Sequence, residues 1–236
     1  MTRPALWTAI AETLSADIAS GHYRPGEQLP TEAQLAARFT VNRHTVRRAL
    51  ADLAGRGLVR SRRGAGVFVA AQPADYALGR RVRFHQNVLA SGRMPSRQIN
   101  RLETRHADQR EAEALGLPPG APVHVVEGLS LADGVALAAF RSVFPAERFP
   151  DLLARVEAEP SITAALRAAG VGDYTRAQTR LTAKAARGPL AVALGLSEGA
   201  PVLRTVAVNI DEAGHPIEFG TTWFAGDRVT LTYAPD

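Results

Sequence analysis

Apolar residues in the first 55 positions recur at the spacing of amphipathic helices. A first helix is predicted to end near Gly21, because every fourth residue before that glycine is apolar, namely Leu6, Ile10, Leu14 and Ile18. A second, short helix is predicted to begin after Thr31 and to reach Phe39. Thr31 and Gln34 have the spacing of a capping box, in which each side chain bonds the backbone N–H of the other residue.

A third predicted helix, at residues 43–54, has one apolar side and one basic side. Asn42 is suited to cap its N-terminus. The apolar side, which we expect to face the core, consists of Val46, Ala49, Leu50 and Leu53. Two short strands follow at 58–62 and 67–70, and glycines in the Arg-Gly-Ala-Gly segment between them allow a tight hairpin. Three helices and a hairpin predict a winged helix-turn-helix over residues 1–70.

The basic side of the third helix belongs to a chain whose charge is unevenly distributed. Residues 1–71 hold 10 Arg and 5 Asp or Glu, whereas the remainder holds 18 Lys or Arg and 18 Asp or Glu. Arginine can bridge O6 and N7 of guanine, and the N-terminal end of a recognition helix enters the major groove. Contacts to double-stranded DNA are therefore predicted for this helix and the hairpin, from Asn42, Arg43, His44, Thr45, Arg47, Arg48, Arg62 and Arg63.

Beyond residue 79 the chain contains the same pattern twice. The blocks Ala-Leu-Gly-Leu and Gly-Ala-Pro-Val within residues 114–123 reappear within 193–202, an offset of 79 positions. Each copy continues into a strand, a glycine turn and a returning strand, predicted at 123–131, 135–144, 202–210 and 216–224. A single helix-hairpin unit cannot bury its apolar face alone, so two copies predict one antiparallel sheet. Residues 71–79 are predicted to be a linker, and residues 80–236 a second domain.

The N-terminal segments resemble the GntR family of bacterial repressors. The matching runs are Gly-Glu-Gln-Leu-Pro-Thr-Glu at 26–32, Leu-Ala-Ala-Arg-Phe at 35–39, Val-Asn-Arg-His-Thr-Val-Arg-Arg-Ala-Leu at 41–50 and Arg-Gly-Ala-Gly at 63–66. The resemblance implies that operator DNA is contacted by Arg43, Thr45, Arg47 and the wing around Gly64. Many members carry a DNA-contacting arginine where this chain has Ala33, so the resemblance does not extend to base preference.

The second domain resembles the effector domain of the HutC subfamily, whose fold is similar to that of chorismate lyase. The duplicated Leu-Gly-Leu-x-x-Gly-Ala-Pro-Val carries this resemblance. Within the subfamily the chain is most similar to PhnF-type repressors of phosphonate utilisation, through segments at 83–89 and 178–180. The implied fold class is α+β, with a winged helix-turn-helix followed by an α/β domain that binds an effector and dimerises. The implied function is a homodimeric repressor of palindromic operator DNA, controlled by a small anionic effector such as a phosphonate or phosphate ester.

The resemblance also implies which residues hold the effector. A buried anion needs arginine together with hydroxyl or N–H donors. The implied residues lie in a segment that closes over the ligand, on the returning strands and at the start of a helix predicted at 161–169; they are Arg83, Arg141, Ser161, Thr163 and Glu218. Many relatives that sense sugar phosphates carry an arginine on the strand where this chain has Glu127 and Ser130. The missing charge is predicted to come from Arg180 or Arg176.

Other functional classes find less support in the sequence. The chain has no cysteine, and its six histidines lack the spacing of metal ligands, so neither a metal nor another cofactor is expected. No phosphate loop, dinucleotide fingerprint or nucleophile elbow occurs, which favours a regulator over the alternative of a chorismate lyase-like enzyme. A regulator that senses a sugar phosphate or a histidine-pathway intermediate is the other alternative. No apolar run reaches the length of a membrane span, so a cytoplasmic protein is expected.

Overall fold

The computed structural model describes residues 5–62, 66–70, 73–79 and 84–233. The chain divides into two compact units, Met1–Gln72 and Pro73–Asp236. Each unit buries apolar side chains in cores of its own. Among the described residues, no helix is both long enough and apolar enough to span a membrane.

Three helices pack around one apolar core in the first unit, and an antiparallel hairpin follows them. The elements are α1 (Leu6–Ala19), α2 (Glu32–Phe39), α3 (Arg43–Gly55), β1 (Val59–Arg62) and β2 (Gly66–Val69). The predicted inner stripe of α3 is buried in full. The predicted stripe of α1 is wrong at Leu6, which is exposed in the first turn, whereas Ile10 and Leu14 are buried. The predicted three helices and hairpin are therefore confirmed, while the tip of the hairpin at 63–65 lies outside the described residues.

Side-chain caps set where α2 and α3 begin. Thr31 Oγ1 accepts from the Gln34 backbone N–H at 3.3 Å, and Gln34 Oε1 accepts from the Thr31 backbone N–H at 2.8 Å. This reciprocal pair confirms the predicted capping box. Asn42 Oδ1 accepts from the Thr45 backbone N–H at 2.8 Å. Thr40 between the two helices has a φ of 54°, a left-handed conformation that ends α2 and redirects the chain into α3.

A six-stranded antiparallel sheet is the centre of the second unit. Its strands are β4 (Pro95–His106), β5 (Pro122–Ala132), β6 (Val135–Pro145), β7 (Tyr174–Ala185), β8 (Pro201–Asp211) and β9 (Pro216–Ala225). The order across the sheet is β4-β5-β6-β9-β8-β7, so the two predicted hairpins meet at the middle. The remaining elements are α4 (Phe84–Ala90), α5 (Gln109–Leu115), α6 (Leu152–Ala158), α7 (Ile162–Ala168), α8 (Pro189–Leu194), β3 (Ala74–Ala77) and β10 (Val229–Thr232).

The repeat extends further than the sequence analysis predicted. The outer strands β4 and β7 each have 12 residues and begin 79 positions apart, so they belong to the repeated unit as well. Both strands are exposed along much of their length and lack a continuous apolar alternation, which is why they were missed. At the middle of the sheet, Arg141 of β6 pairs with Thr221 of β9, its counterpart 80 positions later. The sheet is thus pseudo-symmetric about this pair.

Different helices cover the two faces of the sheet. Helices α5 and α8 pack on one face, where their leucines bury Val123, Val143 and Val202. Helices α6 and α7 pack on the other face against Phe140 and Phe144. The same face is continued by α4 and by the β3–β10 pair. Since neighbouring residues of a strand point to opposite faces, each residue of the central strands faces one of these two layers.

Part of the predicted linker belongs to the second unit as a strand. Residues 74–77 form β3, which pairs in parallel with β10 near the other end of the unit. The Ala74 backbone N–H donates to the Arg228 carbonyl at 2.8 Å, and Leu78 N–H donates to the Thr232 carbonyl at 2.7 Å. The prediction of a linker over all of 71–79 is therefore wrong for this stretch, because long-range pairing orders a segment whose composition alone suggested a loop.

Candidate DNA-binding helix and ligand cavity

The N-terminal turn of α3 presents its polar side chains to solvent. Asn42, Arg43 and His44 are exposed, and Thr45 is half-buried. Thr45 Oγ1 donates to Asn42 Oδ1 at 2.9 Å, so the cap also orients this hydroxyl. The apolar stripe on the opposite side of α3 anchors the helix in the core. The turn can therefore meet a polyanion without any movement of the core.

Arg47 lies one turn further along α3 and is held by a carboxylate of α2. Its Nε and Nη2 donate to the two oxygens of Glu32 at 3.2 and 3.0 Å. The bond from Arg47 holds the pKa of Glu32 below its usual value. The Arg47 side chain is nevertheless 67% exposed. A two-pronged bond restricts the guanidinium to one plane, so Arg47 is both oriented and accessible.

The other predicted DNA contacts have different surroundings. Arg48 stacks on Trp7 of α1, with its guanidinium carbon 4.7 Å from the ring centroid. This contact places Arg48 on the side of α3 that faces α1. The side chain of Arg62, together with Arg63 and Gly64, lies outside the described residues, so their predicted contacts stay predictions.

The second unit contains a cavity of about 640 Å³ on the face covered by α6 and α7. Side chains reach it from β3, α4, the turn between α6 and α7, and all six strands of the sheet. The lining residues include Tyr76, Phe84, His85, Arg97, Ser130, Phe140, Ser142, Glu159, Ser161, Thr163, Arg167, Arg176, Asn209 and Glu218. The described residues include no group of three His, Asp or Glu side chains that could hold a metal ion.

A buried carboxylate lies in the floor of the cavity. Glu218 is 8% exposed and accepts from Ser142 Oγ at 2.5 Å and from Asn209 Nδ2 at 2.6 Å. Both donors are neutral, and none of the described lysine or arginine side chains forms an ion pair with Glu218. A buried carboxylate favours a cation or further hydrogen-bond donors as neighbours. Glu218 can therefore accept from a ligand amine or hydroxyl.

Three arginines supply positive charge to the cavity wall. Arg97 of β4 lies over the Phe140 ring at 4.9 Å and over the Phe84 ring at 6.0 Å. Arg176 of β7 donates from Nε to Asn209 Oδ1 at 3.4 Å. Arg167 lies on the α7 side of the cavity. The wall contains two carboxylates, those of Glu159 and Glu218, so the arginines outnumber the acidic side chains.

Aromatic and imidazole groups complete the wall without adding charge. Tyr76 is buried between Phe84 and Phe224, with ring centroids 6.4 and 4.9 Å away. Burial raises the pKa of Tyr76, so its phenol stays protonated at neutral pH. Burial, and then the nearby Arg97 charge, lower the pKa of His85, which favours the neutral imidazole. The cavity is thus a mixed apolar and polar site with an excess of fixed positive charge.

Three of the predicted effector residues line this cavity. Glu218 lies in the floor, and Ser161 and Thr163 lie at the α7 side. The Ser161 hydroxyl accepts from the Ala164 backbone N–H at 3.2 Å, so Ser161 also caps the N-terminus of α7. Thr163 Oγ1 shares a hydrogen bond of 2.9 Å with the Tyr174 hydroxyl. Arg83 lies outside the described residues.

Two predicted effector residues face away from the cavity. Arg141 is on the α5 side of β6, where it pairs with Glu111 of α5 at 3.0 Å and with Glu127 at 3.4 Å. Its neighbours at 140 and 142 line the cavity instead, because side chains alternate along a strand. Arg180 is exposed and pairs in register with Val206, whose side chain faces the α8 side. Arg141 and Arg180 therefore do not line this cavity, and their binding of an effector stays a prediction.

Sequence reasoning missed Arg97 and left Arg176 as one of two alternatives. The repeat offset offered a signal, because Arg97 and Arg176 are 79 positions apart and so are Ser130 and Asn209. In the strand register, Arg97 is opposite Ser130 and Arg176 is opposite Asn209. These equivalences would have been visible from the sequence if the repeat had been extended upstream to the outer strands.

Comparison with known proteins agrees with both units. Residues 6–69 match the family model for bacterial regulatory proteins of the gntR family, and residues 90–230 match the UTRA domain. An uncharacterized HTH-type transcriptional regulator of Rhizobium meliloti is 39% identical over 96% of this chain and 93% of its own length. The HTH-type transcriptional repressor PhnF of Mycolicibacterium smegmatis is 31% identical, over 89% of this chain and 84% of its own.

A solved structure gives the same result for the fold. The crystal structure of PhnF from Mycobacterium smegmatis superposes with a TM-score of 0.68 at 28% identity, and the match covers 98% of this chain and 99% of that one. The two family matches together account for the helix-hairpin unit and for most of the unit that holds the cavity. The chain therefore belongs to the GntR family of bacterial transcriptional regulators and carries a UTRA domain.

Proposed function

We propose that this regulator is a repressor that binds palindromic operator DNA as a homodimer and responds to a small anionic effector of the phosphonate or phosphate ester class. The first unit binds DNA through the N-terminal turn of α3. The cavity of the second unit binds the effector. Two-fold symmetry of a dimer presents two copies of α3 to two matched half-sites.

The observation that carries the DNA-binding proposal is the exposure of Arg43 and Arg47 on α3. Arg43 is exposed at the first position of α3, and Arg47 is exposed one turn later while Glu32 fixes its plane. Two arginines one turn apart on an anchored helix can reach base edges and phosphates in a single groove. Arg48, stacked on Trp7, is assigned to a phosphate at the edge of the groove, because its position is displaced toward α1.

The effector part is supported by the chemistry of the cavity wall. An excess of arginine favours an anion, and the hydroxyls of Ser161 and Thr163 can donate to its oxygens. Glu218 would bind an amine or hydroxyl elsewhere on the same molecule. A volume of about 640 Å³ is within the range of small-molecule sites. Many sugar phosphate sensors carry arginine on the strand where this chain has Glu127 and Ser130, which favours a phosphonate, or a phosphate ester other than a sugar phosphate.

Tyr76 connects the cavity to the segment that follows the DNA-binding unit in the chain. It belongs to β3, the first strand of the second unit, and it also lines the cavity. An effector that contacts Tyr76 can alter the stability of the β3–β10 pairing. Such a ligand changes operator binding only to the extent that its affinity differs between two arrangements of the protein.

The DNA-binding assignment is tested with DNA from upstream of the gene for this chain, by fluorescence anisotropy on the full-length protein. Arg43→Ala combined with Arg47→Ala should weaken binding by about a hundredfold or more, because each bidentate base contact contributes about 1–3 kcal/mol. Arg56→Ala is the matched control. Arg56 follows the end of the same helix and pairs with Glu12, away from the N-terminal turn. An equal loss in the control would contradict the assignment.

The homodimer is tested separately by sedimentation of the free protein and of its complex with DNA. Two chains per duplex with two equally spaced half-sites are expected from the symmetry of the proposed complex. A single chain bound to a single protected half-site would refute the dimeric repressor, while leaving the role of α3 to be judged from the arginine variants.

A further inference from the structure

We propose that Arg97 is the residue that binds the anionic head group of the effector, a tetrahedral phosphonate or phosphate. This inference rests on the proposed effector function of the cavity and adds its anchoring residue. Four observations carry it: the path of the Arg97 side chain, an unpaired nitrogen in its guanidinium, the contrast with Arg176, and the aromatic surface that supports it.

The side chain of Arg97 extends along the cavity face of the sheet, over β5 and toward β6. Arg97 belongs to the edge strand β4 and is opposite Ser130 of β5 in the register. Its guanidinium lies over Phe140, which belongs to β6, one strand further. Small side chains on β5 leave room for this path. A Cβ on Gly128 would be 3.1 Å from the Phe140 ring and 2.2 Å from the Gln98 carbonyl oxygen. The glycine thus lets the ring and β4 both lie close to β5.

The guanidinium of Arg97 is incompletely paired. Its Nη1 is buried, and none of the described residues accepts a hydrogen bond from it. Arginine cannot lose its charge at any ordinary pH, so a buried N–H of this group needs an acceptor. The Glu218 carboxylate forms no ion pair with it and already accepts from Ser142 and Asn209. Arg97 also lines the cavity, so an anion that enters it can approach the guanidinium.

The second copy of the repeat carries an arginine that is hydrogen-bonded within the protein at this position. Arg176 is the counterpart of Arg97, and it is opposite Asn209, the counterpart of Ser130. Asn209 is long enough to accept from Arg176 Nε, at 3.4 Å. Ser130 is shorter, and no hydrogen bond joins it to Arg97. At equivalent positions of the repeat, Arg176 is thus hydrogen-bonded to a neighbouring side chain, whereas Arg97 has an N–H group without an acceptor among the described residues.

The aromatic rings hold the free guanidinium in place. The ring centroids of Phe140 and Phe84 are 4.9 and 6.0 Å from its carbon, so the group lies between a ring of β6 and a ring of α4. Aromatic faces attract a cation without accepting its N–H bonds in full, so these groups stay available for an anion. Since α4 supplies one ring, an anion bound here would also contact the α4 side of the cavity.

The binding test uses the full-length protein, with methylphosphonate and inorganic phosphate as probes and calorimetry or thermal shift as readout. Arg97→Met should weaken binding of both probes by about tenfold to a hundredfold, the worth of a hydrogen bond to a charged group. Arg101→Met is the matched control, because Arg101 lies on the same strand but pairs with Glu103 and Glu127 outside the cavity. Unchanged affinity in Arg97→Met, or no binding of either probe to the wild type at millimolar concentration, overturns the proposal.

Methanesulfonate and acetate test which properties of the head group, its charge or its shape, determine binding. Methanesulfonate has the same tetrahedral shape as methylphosphonate but carries one negative charge and cannot lose a second proton, and acetate is planar. Weaker binding of both than of methylphosphonate is expected. Tighter binding of acetate would overturn the assignment of a tetrahedral anion.

The stability of the ligand-free protein distinguishes a binding residue from a structural one. Methionine replaces the apolar stem of Arg97 with another unbranched apolar chain and removes the unpaired charge, so Arg97→Met should unfold at the same temperature as the wild type or higher. A fall in the unfolding temperature would mean that Arg97 holds the fold together, and would contradict the proposal. Loss of probe binding in Glu218→Gln or Ser161→Ala but not in Arg97→Met would refute the role of Arg97 while the effector function of the cavity stands.

Discussion

The two units of this regulator use arginine in opposite environments. In the first unit, Arg43 and Arg47 are exposed on a helix end, and the one carboxylate that binds Arg47 leaves it 67% exposed. In the second unit, arginines are drawn into the interior, as at Arg97 in the cavity wall and Arg228, which is 7% exposed. Exposed cations suit a long polyanion in solvent, and enclosed cations suit one small anion that leaves water behind.

A second contrast lies among the enclosed arginines themselves. Arg228 donates to three backbone carbonyls, those of Ala136, Leu194 and Gly195, at 2.6, 2.7 and 3.2 Å. Leu194 and Gly195 are at the C-terminal end of α8, so Arg228 satisfies carbonyls that the helix leaves open. Arg97 has a buried nitrogen with no acceptor among the described residues. Arg228 is therefore expected to stabilise the fold, whereas Arg97 is the arginine that we propose to bind a ligand.

The two units should differ most in how strongly the affinity for their ligands depends on salt. Operator binding should weaken by about a hundredfold or more between about 50 and about 200 mM salt, because DNA-bound counterions are released. Binding of methylphosphonate in the cavity should change by less than about tenfold over the same range, since enclosed charges are screened less. Titrations of both ligands with the same protein preparation measure this. Equal salt dependence would break the contrast between the units.

The next effect separates the two enclosed arginines. Arg228→Met should lower the free energy of unfolding by about 2–4 kcal/mol, because it leaves carbonyls at the end of α8 without a donor. The same substitution at Arg97 is expected to cost nothing. Urea denaturation, followed by circular dichroism, compares the two variants directly. Similar stability losses in both would show that internal acceptors do not distinguish them.

The smallest effect concerns Arg148, the counterpart of Arg228 in the first repeat. Arg148 is bonded to Asp211 at 2.5 Å, and this bond lowers the pKa of Asp211 to about 2. A carboxyl group whose pKa is lower in the folded protein stabilises it above the unfolded value of about 4, and this contribution is lost as the pH falls toward 2. Asp211→Asn should therefore cost up to about 1 kcal/mol at pH 7.

The pH dependence provides the check on this last prediction. The difference in urea midpoint between wild type and Asp211→Asn should shrink as the pH is lowered from 5 to about 2. A difference that stays constant over this range would mean that backbone donors, such as the Ala213 and His215 N–H groups, dominate the effect of the carboxylate.

Local chemistry was sufficient to predict the DNA-binding unit. The caps at Thr31 and Asn42, the apolar stripe of α3 and the hairpin depend on contacts within a few residues, and all are present in the structure. In the second unit the hairpins could be predicted for the same reason. The pairing of β3 with β10 could not, because it joins segments more than 150 positions apart and nothing in their local composition requires it.

The cavity shows where sequence reasoning stops. Arg176 and Arg180 are four positions apart and would share a face in a regular strand, but the register shifts between Arg176 and Gln178. A bulge of one residue moves every later side chain to the opposite face, so Arg176 lines the cavity and Arg180 does not. The position of Arg141 outside the cavity could not be predicted for a related reason, since strand alternation does not tell which face the cavity occupies.

The helices of the first unit with the caps of α2 and α3, the basic end of α3 and the repeated hairpins could be predicted from the sequence, because each depends on neighbouring residues. Which residues meet in the cavity became known only from the folded domain. That choice depends on bulges, on the pairing of β6 with β9, and on which helices cover each face. These are interactions between distant segments, whose free energy is a property of the packed sheet and is absent from any short stretch of the chain.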